Sequence, residues 1–218
     1  SHEMNTSRRR LLMRGAGALM ACSATVRATP HEAAAGAPVP PLSSDDRSEA
    51  RAVDSQSALA ARLKAGGVVI AFRHALAPGT FDPPGFKLDD CRTQRNLNDE
   101  GRAQAVRIGQ WFREHRLTPA QVRSSPWCRC LDTARLALGR VEAWPALNST
   151  FAGQGQPDRQ LAELRERLRT RPAGSLEVWV THQVIMTALT QAYPAMGEGF
   201  LVDRQGRMLA RGMMTPHA

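Results

Sequence analysis

Val68-Val69-Ile70-Ala71-Phe72-Arg73-His74 is the stretch that decides the fold, because five apolar residues run directly into a basic pair. A run of this kind, without alternating polar residues, is typical of a strand that is buried on both faces of a sheet. The segment 176–181 has the same character and leads into His182. The chain therefore contains two predicted strands that each end next to a histidine.

Helical patterns lie before, between and after these strands. Apolar residues at helical spacing, together with capping residues such as Asn98, predict helices over 57–65, 98–115, 128–138, 156–171 and 184–191. Glycines and prolines make 75–95 a long loop, and the segments 200–202 and 207–211 flank a turn at Gln205-Gly206. Strands that alternate with helices predict a single α/β domain in which helices flank a mostly parallel sheet.

The first 54 residues show none of these patterns. Residues 1–3 resemble a cloning scar, and residues 4–28 combine a basic start, a short apolar stretch and a small-residue end, as a signal peptide does. Residues 29–54 are rich first in Ala, Pro and Gly and then in polar residues, which predicts a flexible linker. We therefore expect one folded domain over residues 55–218.

Ser7-Arg8-Arg9-Arg10-Leu11-Leu12 resembles the twin-arginine signal, which directs folded proteins across the bacterial inner membrane. This pattern predicts a periplasmic protein with no stable membrane insertion after cleavage behind Ala28. Two alternatives stay open. One is lipidation at Cys22, whose preceding residues loosely resemble a lipobox, and the other is an ordinary basic N-terminus.

The formal net charge of +9 is weaker support for nucleic-acid binding than its size indicates. Five of the 29 basic residues but only one of the 20 acidic residues lie in residues 1–28, so the rest of the chain is closer to balance. The chain also has only two lysines, Lys64 and Lys87, and one tyrosine, Tyr193, and so lacks the composition of a nucleic-acid surface. We expect no nucleic-acid partner.

Three candidate side chains should meet at one edge of the predicted sheet. His74 and His182 follow the ends of two strands, where open α/β sheets place their binding sites. Arg129 lies near the beginning of a predicted helix, where a guanidinium group and helix N–H groups suit a phosphate. A lone histidine at a strand end is usually structural, but the three residues together predict an anion site.

Four segments occur in order along the chain: Arg73-His74-Ala75, residues 96–105, residues 124–134 with Arg129, and Thr181-His182. Together they resemble the motifs of the histidine phosphatase superfamily, which has the phosphoglycerate-mutase-like fold. The resemblance covers about residues 68–202. One departure is Ala75, because the family's motif is Arg-His-Gly. We expect alanine to be tolerated if the backbone φ angle there is negative.

The resemblance implies a phosphatase that hydrolyses a phosphomonoester through a phosphohistidine on His74. Arg73, Arg129 and His182, the last as an imidazolium, would surround the transferring phosphoryl group and neutralise its charge. No metal or other cofactor is expected, because these cations do the electrostatic work. A metal site formed by His74, His182 and a cysteine is the competing interpretation, and the neighbouring arginines disfavour it because they repel a cation.

The general acid of this mechanism is not evident from the motifs. His182 is followed by Gln183, where some family members carry a carboxylate. Glu198 is the first candidate; the others are Asp82, Asp89 and Asp90. A phosphatase that acts on good leaving groups needs no acid at all.

We expect the substrate to be a small phosphorylated molecule, for an exported enzyme for example an envelope sugar phosphate. A phosphohistidine protein is a second possibility, and a non-catalytic module that binds a phosphorylated or anionic ligand on the same fold is the alternative function. The loops 75–95 and 144–156 should determine specificity. Arg92 and Arg95 are candidates for a second anionic contact, although both fit equally well as solvated loop charges.

The mature chain keeps three cysteines, Cys91, Cys128 and Cys130, if cleavage follows Ala28. Residues two apart at the start of a helix point in different directions, so at most one of Cys128 and Cys130 can reach Cys91. An oxidising compartment favours pairing. We expect one disulfide, from Cys91 to Cys128 or Cys130, and three buried thiols are the alternative.

Overall fold

One sheet of six strands organises the protein in the computed structural model, which describes residues 55–217. The predicted cloning scar, signal peptide and linker lie outside the described residues. The strands are β1 (Val69–Arg73), β2 (Gln121–Ser124), β3 (Glu142–Ala143), β4 (Glu177–Thr181), β5 (Glu198–Val202) and β6 (Met208–Met213). Their spatial order is β3-β2-β4-β1-β5-β6.

The sheet is mostly parallel, as the sequence predicts. Strands β3, β2, β4 and β1 run parallel, whereas β5 and β6 form an antiparallel hairpin on the β1 side. Neither β2 nor β3 is predicted as a strand by the sequence. In β2 the buried residues alternate with half-buried polar ones, and β3 contains only two residues, so neither produces an apolar run.

Five α-helices flank the sheet, each within one residue of its predicted bounds. They are α1 (Gln56–Ala65), α2 (Asp99–Glu114), α3 (Cys128–Leu138), α4 (Pro157–Thr170) and α5 (Gln183–Thr190). Short 3₁₀ turns cover Cys91–Thr93, Pro145–Leu147 and Phe151–Gly153. Within residues 55–217, no helix has both the length and the apolar character needed to cross a membrane.

The strand β1 shows why the apolar run lacks alternation. Its side chains point to opposite faces in turn, and both faces are covered. Ile70 and Phe72 belong to the core beneath α1, α2 and α3, while Val69 and Ala71 belong to the core beneath α4 and α5. Because β1 also lies between β4 and β5, its carboxyl end is held on every side. The residue that follows, His74, therefore has a rigid attachment.

Helix α2 packs closely against the loop that leaves β1. A Cβ atom on Gly101 would overlap the carbonyl oxygen of Leu76, so only glycine permits this approach. The Leu76 carbonyl accepts a hydrogen bond from Asn98 N (3.3 Å), and Gln104 Oε1 accepts one from Leu76 N (2.9 Å). The start of α2 thus fixes the backbone just after His74.

Candidate active site

A cavity of about 720 Å³ opens beside the carboxyl ends of β1 and β4. Four of the five predicted site residues line it: Arg73, His74, Arg129 and His182. They come from the end of β1, the first turn of α3 and the residue after β4. The predicted edge of the sheet is therefore where the structure brings these side chains together.

His74 is buried, and its ring has a defined proton arrangement. Its backbone N–H donates to Thr181 O (3.0 Å), and its ring Nδ1 lies 2.8 Å from the carbonyl oxygen of Ala75. A carbonyl can only accept, so Nδ1 carries a proton. Burial, opposed in part by the bond to Ala75 and assisted by three arginine charges, lowers the pKa of His74 to about 3. The ring is neutral near pH 7, and Nε2 keeps its lone pair.

His182 lies next to His74, with the two ring centroids 5.8 Å apart. Its Nε2 is 2.8 Å from Ser125 Oγ and 3.5 Å from Cys130 Sγ. Burial, together with the charge of Arg129, lowers the pKa of His182 well below its ordinary value. His182 is therefore neutral near pH 7 and not the imidazolium that was expected, because the buried ring is surrounded by positive charge.

Three arginines line the cavity: Arg73, Arg95 and Arg129. Arg73 Nη1 donates to Pro194 O (3.0 Å) and Arg95 Nη1 donates to Ala77 O (2.5 Å). In all three, the buried Nε has no hydrogen-bond acceptor among the described residues. Burial and the proximity of Arg129 lower the pKa of Arg95 to about 10. Three convergent guanidinium groups with unused donors suit an oxyanion with several oxygens.

Sequence reasoning singled out Arg95 only as one of two loop arginines. The structure separates the pair, because Arg92 is exposed and forms an ion pair with Asp90 (3.0 Å). Arg95 instead lies against Asp82, whose Oδ1 accepts from the Arg95 backbone N–H at 2.9 Å. No pattern in the sequence distinguishes the two, since the folding of the loop decides which of them faces the cavity.

Asp82 is the carboxylate that reaches the cavity. Its Oδ1 also accepts from Arg129 Nη1 at 2.8 Å, and its Oδ2 accepts from Trp127 Nε1 at 3.1 Å. Burial by itself would raise the pKa of Asp82, but the hydrogen bonds from Arg95, Arg129 and Trp127 outweigh it and the pKa is lowered. Asp82 is therefore an ionised partner that holds the guanidinium group of Arg129 in place.

Glu198, the first candidate for the general acid, does not line the cavity. It begins β5, where its carboxylate pairs with Arg211 (2.6 Å) and accepts from Ala195 N (2.8 Å). In the hairpin of β5 and β6, Arg211 lies opposite Phe200, two residues along β5 from Glu198. The structure corrects the assignment: the Glu198 carboxylate is committed to the hairpin. Asp89 and Asp90 also lie outside the cavity lining.

Ala75 has a negative φ angle, since it is not among the described residues with a positive one. Alanine therefore occupies the motif's glycine position without strain, as expected. Its N–H donates to Thr133 Oγ1 (3.0 Å), and that hydroxyl donates to Arg129 O (2.7 Å). One side chain thus connects the backbone beside His74 to the helix turn that carries Arg129.

Residues 89–173 match the model of the family described as the histidine phosphatase superfamily (branch 1). The match contains Arg129, and the Arg73-His74 and His182 segments that flank it in sequence line the same cavity. The chain is thus similar to the histidine phosphatase superfamily over this range. No curated protein sequence matches the chain significantly.

Several solved structures are similar to this chain. The protein histidine phosphatase SixA complexed with tungstate shares 17% identity and a TM-score of 0.47, with 68% of this chain and 97% of that chain covered. The mycobacterial glucosyl-3-phosphoglycerate phosphatase Rv2419c shares 15% identity and a TM-score of 0.46, with coverages of 62% and 92%. The product of the open reading frame Rv3214 of Mycobacterium tuberculosis shares 18% identity and a TM-score of 0.49, with coverages of 69% and 98%.

A disulfide connects the loop 75–95 to helix α3. Cys91 pairs with Cys128, with Cα atoms 5.7 Å apart, so the prediction of one bridge is confirmed and its partner is identified. Cys130 is a free buried cysteine, and burial raises the pKa of its thiol to about 12. Because Arg129 directly follows Cys128, the bridge holds the loop against the turn that positions this arginine.

The outer part of the cavity has a different character from its arginine-rich base. Phe81 (65% exposed), Phe151 (49%) and Tyr193 (69%) line it, and we call these three residues the outer wall. The rings of Phe81 and Phe151 have centroids 5.5 Å apart, although they come from the two loops predicted to determine specificity. The cavity therefore combines a charged base with an aromatic entrance.

Proposed function

We propose that the protein is an exported, metal-independent phosphatase that hydrolyses a phosphomonoester through a phosphohistidine intermediate on His74. The observation that carries this proposal is the hydrogen bond from His74 Nδ1 to Ala75 O. This bond fixes the tautomer in which Nε2 has a free lone pair. With its pKa lowered to about 3, the ring stays neutral and nucleophilic throughout the physiological pH range.

In the first step, His74 Nε2 attacks phosphorus and the bond from phosphorus to the leaving oxygen breaks. Arg73, Arg95 and Arg129 neutralise charge on the transferring phosphoryl group, and neutral His182 adds hydrogen-bonding capacity at the base. In the second step, water attacks the phosphohistidine. The P–N bond breaks and its electron pair returns to Nε2, which restores neutral His74; inorganic phosphate forms, and the proton of the attacking water is released to solvent.

The side chains of the site favour a mechanism without a metal. Among residues 55–217, no group of three or more His, Cys, Asp or Glu side chains is arranged to hold a metal ion. The three guanidinium groups at the base would also repel a cation from His74 and His182. The same guanidinium groups supply the positive charge that a metal provides in other phosphoryl-transfer sites.

A non-catalytic anion-binding module is the competing function. The arginines alone would account for anion binding, and a neutral His74 would add no positive charge to it. Its Nε2 lone pair is an acceptor and cannot donate a hydrogen bond to a phosphate oxygen. A nucleophile is the role that needs a buried, neutral histidine in this tautomer, so catalysis is the better supported function.

Export to the periplasm is part of the proposal, and the Cys91–Cys128 disulfide supports it. Structural disulfides persist in oxidising compartments and are rare in the bacterial cytoplasm. The twin-arginine-like segment and the signal-like region in residues 4–28 point to the same compartment. Fractionation of cells that produce the full chain, with and without Arg8→Lys plus Arg9→Lys, tests this part directly.

The activity is tested by hydrolysis of p-nitrophenyl phosphate in the presence of EDTA. We expect His74→Asn to lower kcat/KM by at least about 10³-fold, whereas the matched variant His217→Asn, outside the cavity lining, keeps full activity. Quenching in alkali during turnover should reveal phosphate bound to the protein, which is stable in alkali and is lost in acid.

Activity that survives His74→Asn would contradict the covalent mechanism, and loss of activity in EDTA would favour a metal. Phosphate binding without turnover would favour the binding module.

A further inference from the structure

We propose that the substrate is an aryl phosphate, whose phenolic oxygen leaves without a proton from the protein. This inference rests on the proposed function and names the substrate class of the same cavity. It replaces the envelope sugar phosphate expected from the export signal. Two independent features of the cavity carry it: the chemistry of its carboxylate and the composition of its outer wall.

The first feature is the lack of a proton donor for the leaving group. Among the described residues that line the cavity, Asp82 is the only Asp or Glu. It accepts three hydrogen bonds and pairs with Arg129, and this environment lowers its pKa, so it is ionised at neutral pH. A carboxylate that must stay charged to hold Arg129 cannot also be the general acid.

No other cavity residue at the base fills this role. His182 is neutral because its pKa is lowered, and a neutral imidazole is a very weak acid. The thiol of Cys130 is not among the cavity-lining residues. The hydroxyl of Tyr193 belongs to the exposed outer wall, whereas the phosphoryl-binding base is buried. The leaving oxygen must therefore depart as an anion.

How readily the leaving oxygen departs as an anion depends on the pKa of its hydroxyl group, which differs between aryl and aliphatic phosphate esters. Phenols have a pKa of about 10, as tyrosine does, whereas aliphatic hydroxyl groups are much weaker acids, as water is. A phenolate is thus a far better leaving group than the alkoxide of a sugar. General acids typically raise the reaction rate about 10²–10⁴-fold. An enzyme without a general acid lacks this rate enhancement when its substrate is a sugar phosphate. The base of the cavity is suited to aryl esters.

The second feature is the outer wall, which presents aromatic surface to the same cavity. Phe81 and Phe151 form a tilted pair at 5.5 Å between centroids, within the range in which aromatic rings attract. Exposed large apolar side chains that cluster at a cavity are characteristic of ligand contacts. Phe151 also precedes Ala152, whose φ of 56° is a strained conformation for a non-glycine residue.

The hydroxyl groups of the cavity give little support for a sugar. Ser149 Oγ accepts a hydrogen bond from Phe151 N (3.2 Å), and Thr187 Oγ1 donates to Ala192 O (2.9 Å). The Thr187 O–H is thereby used within the protein, and Ser149 Oγ holds the backbone next to the outer wall as an acceptor. The remaining polar side chains of the lining outside the base are Thr80, Gln154 and Gln183, enough for substituents on a ring.

The reaction step balances without a further reactant. The bond from His74 Nε2 to phosphorus forms while the bond from phosphorus to the aryl oxygen breaks. The phenolate carries away the electron pair of that bond and takes its proton from water in solution. Water then hydrolyses the phosphohistidine to inorganic phosphate, as in the proposed function.

The leaving-group part is tested with a matched pair of esters of similar size and polarity. We expect kcat/KM for phenyl phosphate to exceed that for cyclohexyl phosphate by at least about 10³-fold, because only the phenolate can leave unassisted. Glucose 6-phosphate, the sugar probe, should be at least as slow as cyclohexyl phosphate. If cyclohexyl phosphate or glucose 6-phosphate is hydrolysed within about tenfold of phenyl phosphate, the substrate class is wrong while the phosphatase function holds.

The outer wall is tested by binding alone, with phenylphosphonate and methylphosphonate as non-hydrolysable probes. We expect phenylphosphonate to bind more tightly, and Phe81→Ala or Phe151→Ala to reduce this preference about 3–10-fold with little effect on methylphosphonate. Leu136→Ala, which removes an exposed apolar side chain of α3 outside the cavity lining, is the matched control and should change neither affinity. An unchanged preference in both phenylalanine variants overturns the aryl site. The wild type could also prefer phenylphosphonate to methylphosphonate and yet hydrolyse no ester. That result would overturn the proposed function but would still support an aryl-binding site.

Discussion

The base and the outer wall of the cavity are built in different ways. Arg73, His74 and His182 lie at the ends of central strands, and Arg129 lies in the first turn of a helix. The outer wall comes from loops, and its rings are largely exposed. Reacting groups need positions fixed within fractions of an ångström, which only packed elements provide, whereas loops can vary their contacts to suit a substrate.

The base and the outer wall also differ in burial, because the side chains of the base are largely buried and those of the outer wall are exposed. At the base burial lowers the pKa of His74, and it makes the pairing of Arg129 with Asp82 necessary, because a buried charge without a partner is costly. The exposed outer wall contains no such pair. The base is therefore sensitive to single substitutions, while the outer wall should tolerate them with graded effects.

After the loss expected for His74→Asn, the largest effect is expected from Arg129→Ala, which removes one cation from the base. We expect kcat/KM for phenyl phosphate to fall about 10²–10³-fold, the usual cost of losing one donor to the transition state. Arg135→Ala is the matched control, because Arg135 lies on the same helix, outside the cavity lining, and pairs only weakly with Asp132 (4.0 Å). Equal losses in the two variants would mean that the helix, rather than the guanidinium group, is what matters.

The disulfide ties the two regions together, since the loop that carries Phe81 is joined to the helix that carries Arg129. Its removal in Cys91→Ser should lower the free energy of unfolding by about 3–4 kcal/mol, from the chain entropy of a loop of this length, the two cysteines being 37 residues apart. Urea denaturation with and without dithiothreitol measures the loss. Cys130→Ala should keep the full sensitivity to dithiothreitol, and a Cys91→Ser protein as stable as the oxidised wild type would contradict the expectation.

Asp82→Asn separates a positioning role from an acid role. If Asp82 only orients Arg129, kcat/KM should fall about 10–100-fold by the same factor for p-nitrophenyl phosphate and phenyl phosphate. An acid role would instead produce a larger loss for phenyl phosphate, whose leaving group is poorer. Asp89→Asn, in the same loop but outside the cavity lining, is the control and should have wild-type activity.

The smallest expected change is in the titration of His74. Its pKa of about 3 in the folded protein is below the value of about 6.5 in the unfolded chain. Between these values the folded state binds fewer protons, so the free energy of unfolding decreases as the pH falls through this window. Nitrogen NMR of ¹⁵N-histidine protein, assigned with His74→Asn, should show a neutral ring protonated on Nδ1 from pH 8 to 5. A midpoint near 6.5 would disprove the burial argument.

Amphipathic and fully buried elements were predictable because their patterns are local. All five helices match within one residue, and β1 and β4 follow from their apolar runs. Strand β2 is hidden by its half-polar pattern and β3 by its length of two residues. These two strands form because neighbouring strands offer hydrogen-bond partners, which no local pattern records.

The same division holds for the site. Sequence motifs identified Arg73, His74, Arg129 and His182, because each adjoins a strand or helix whose end the sequence predicts. They missed the importance of Asp82 and Arg95, and they favoured Glu198, because a loop or a hairpin decides where these side chains point. Hairpin pairing places Glu198 beside Arg211, and the loop 75–95 brings Asp82 to Arg129.

The sequence by itself determined the α/β class, the helices with the two central strands, and four residues at the base of the cavity, because the carboxyl ends of parallel strands meet at one edge of a sheet. Only the tertiary structure decided the protonation of the two histidines, the partner of Cys91, the ionised state of Asp82 and the aromatic outer wall. Each of these depends on burial and on neighbours that are distant in sequence. Burial and such contacts exist only once the chain has folded, and they determine the chemistry of this cavity.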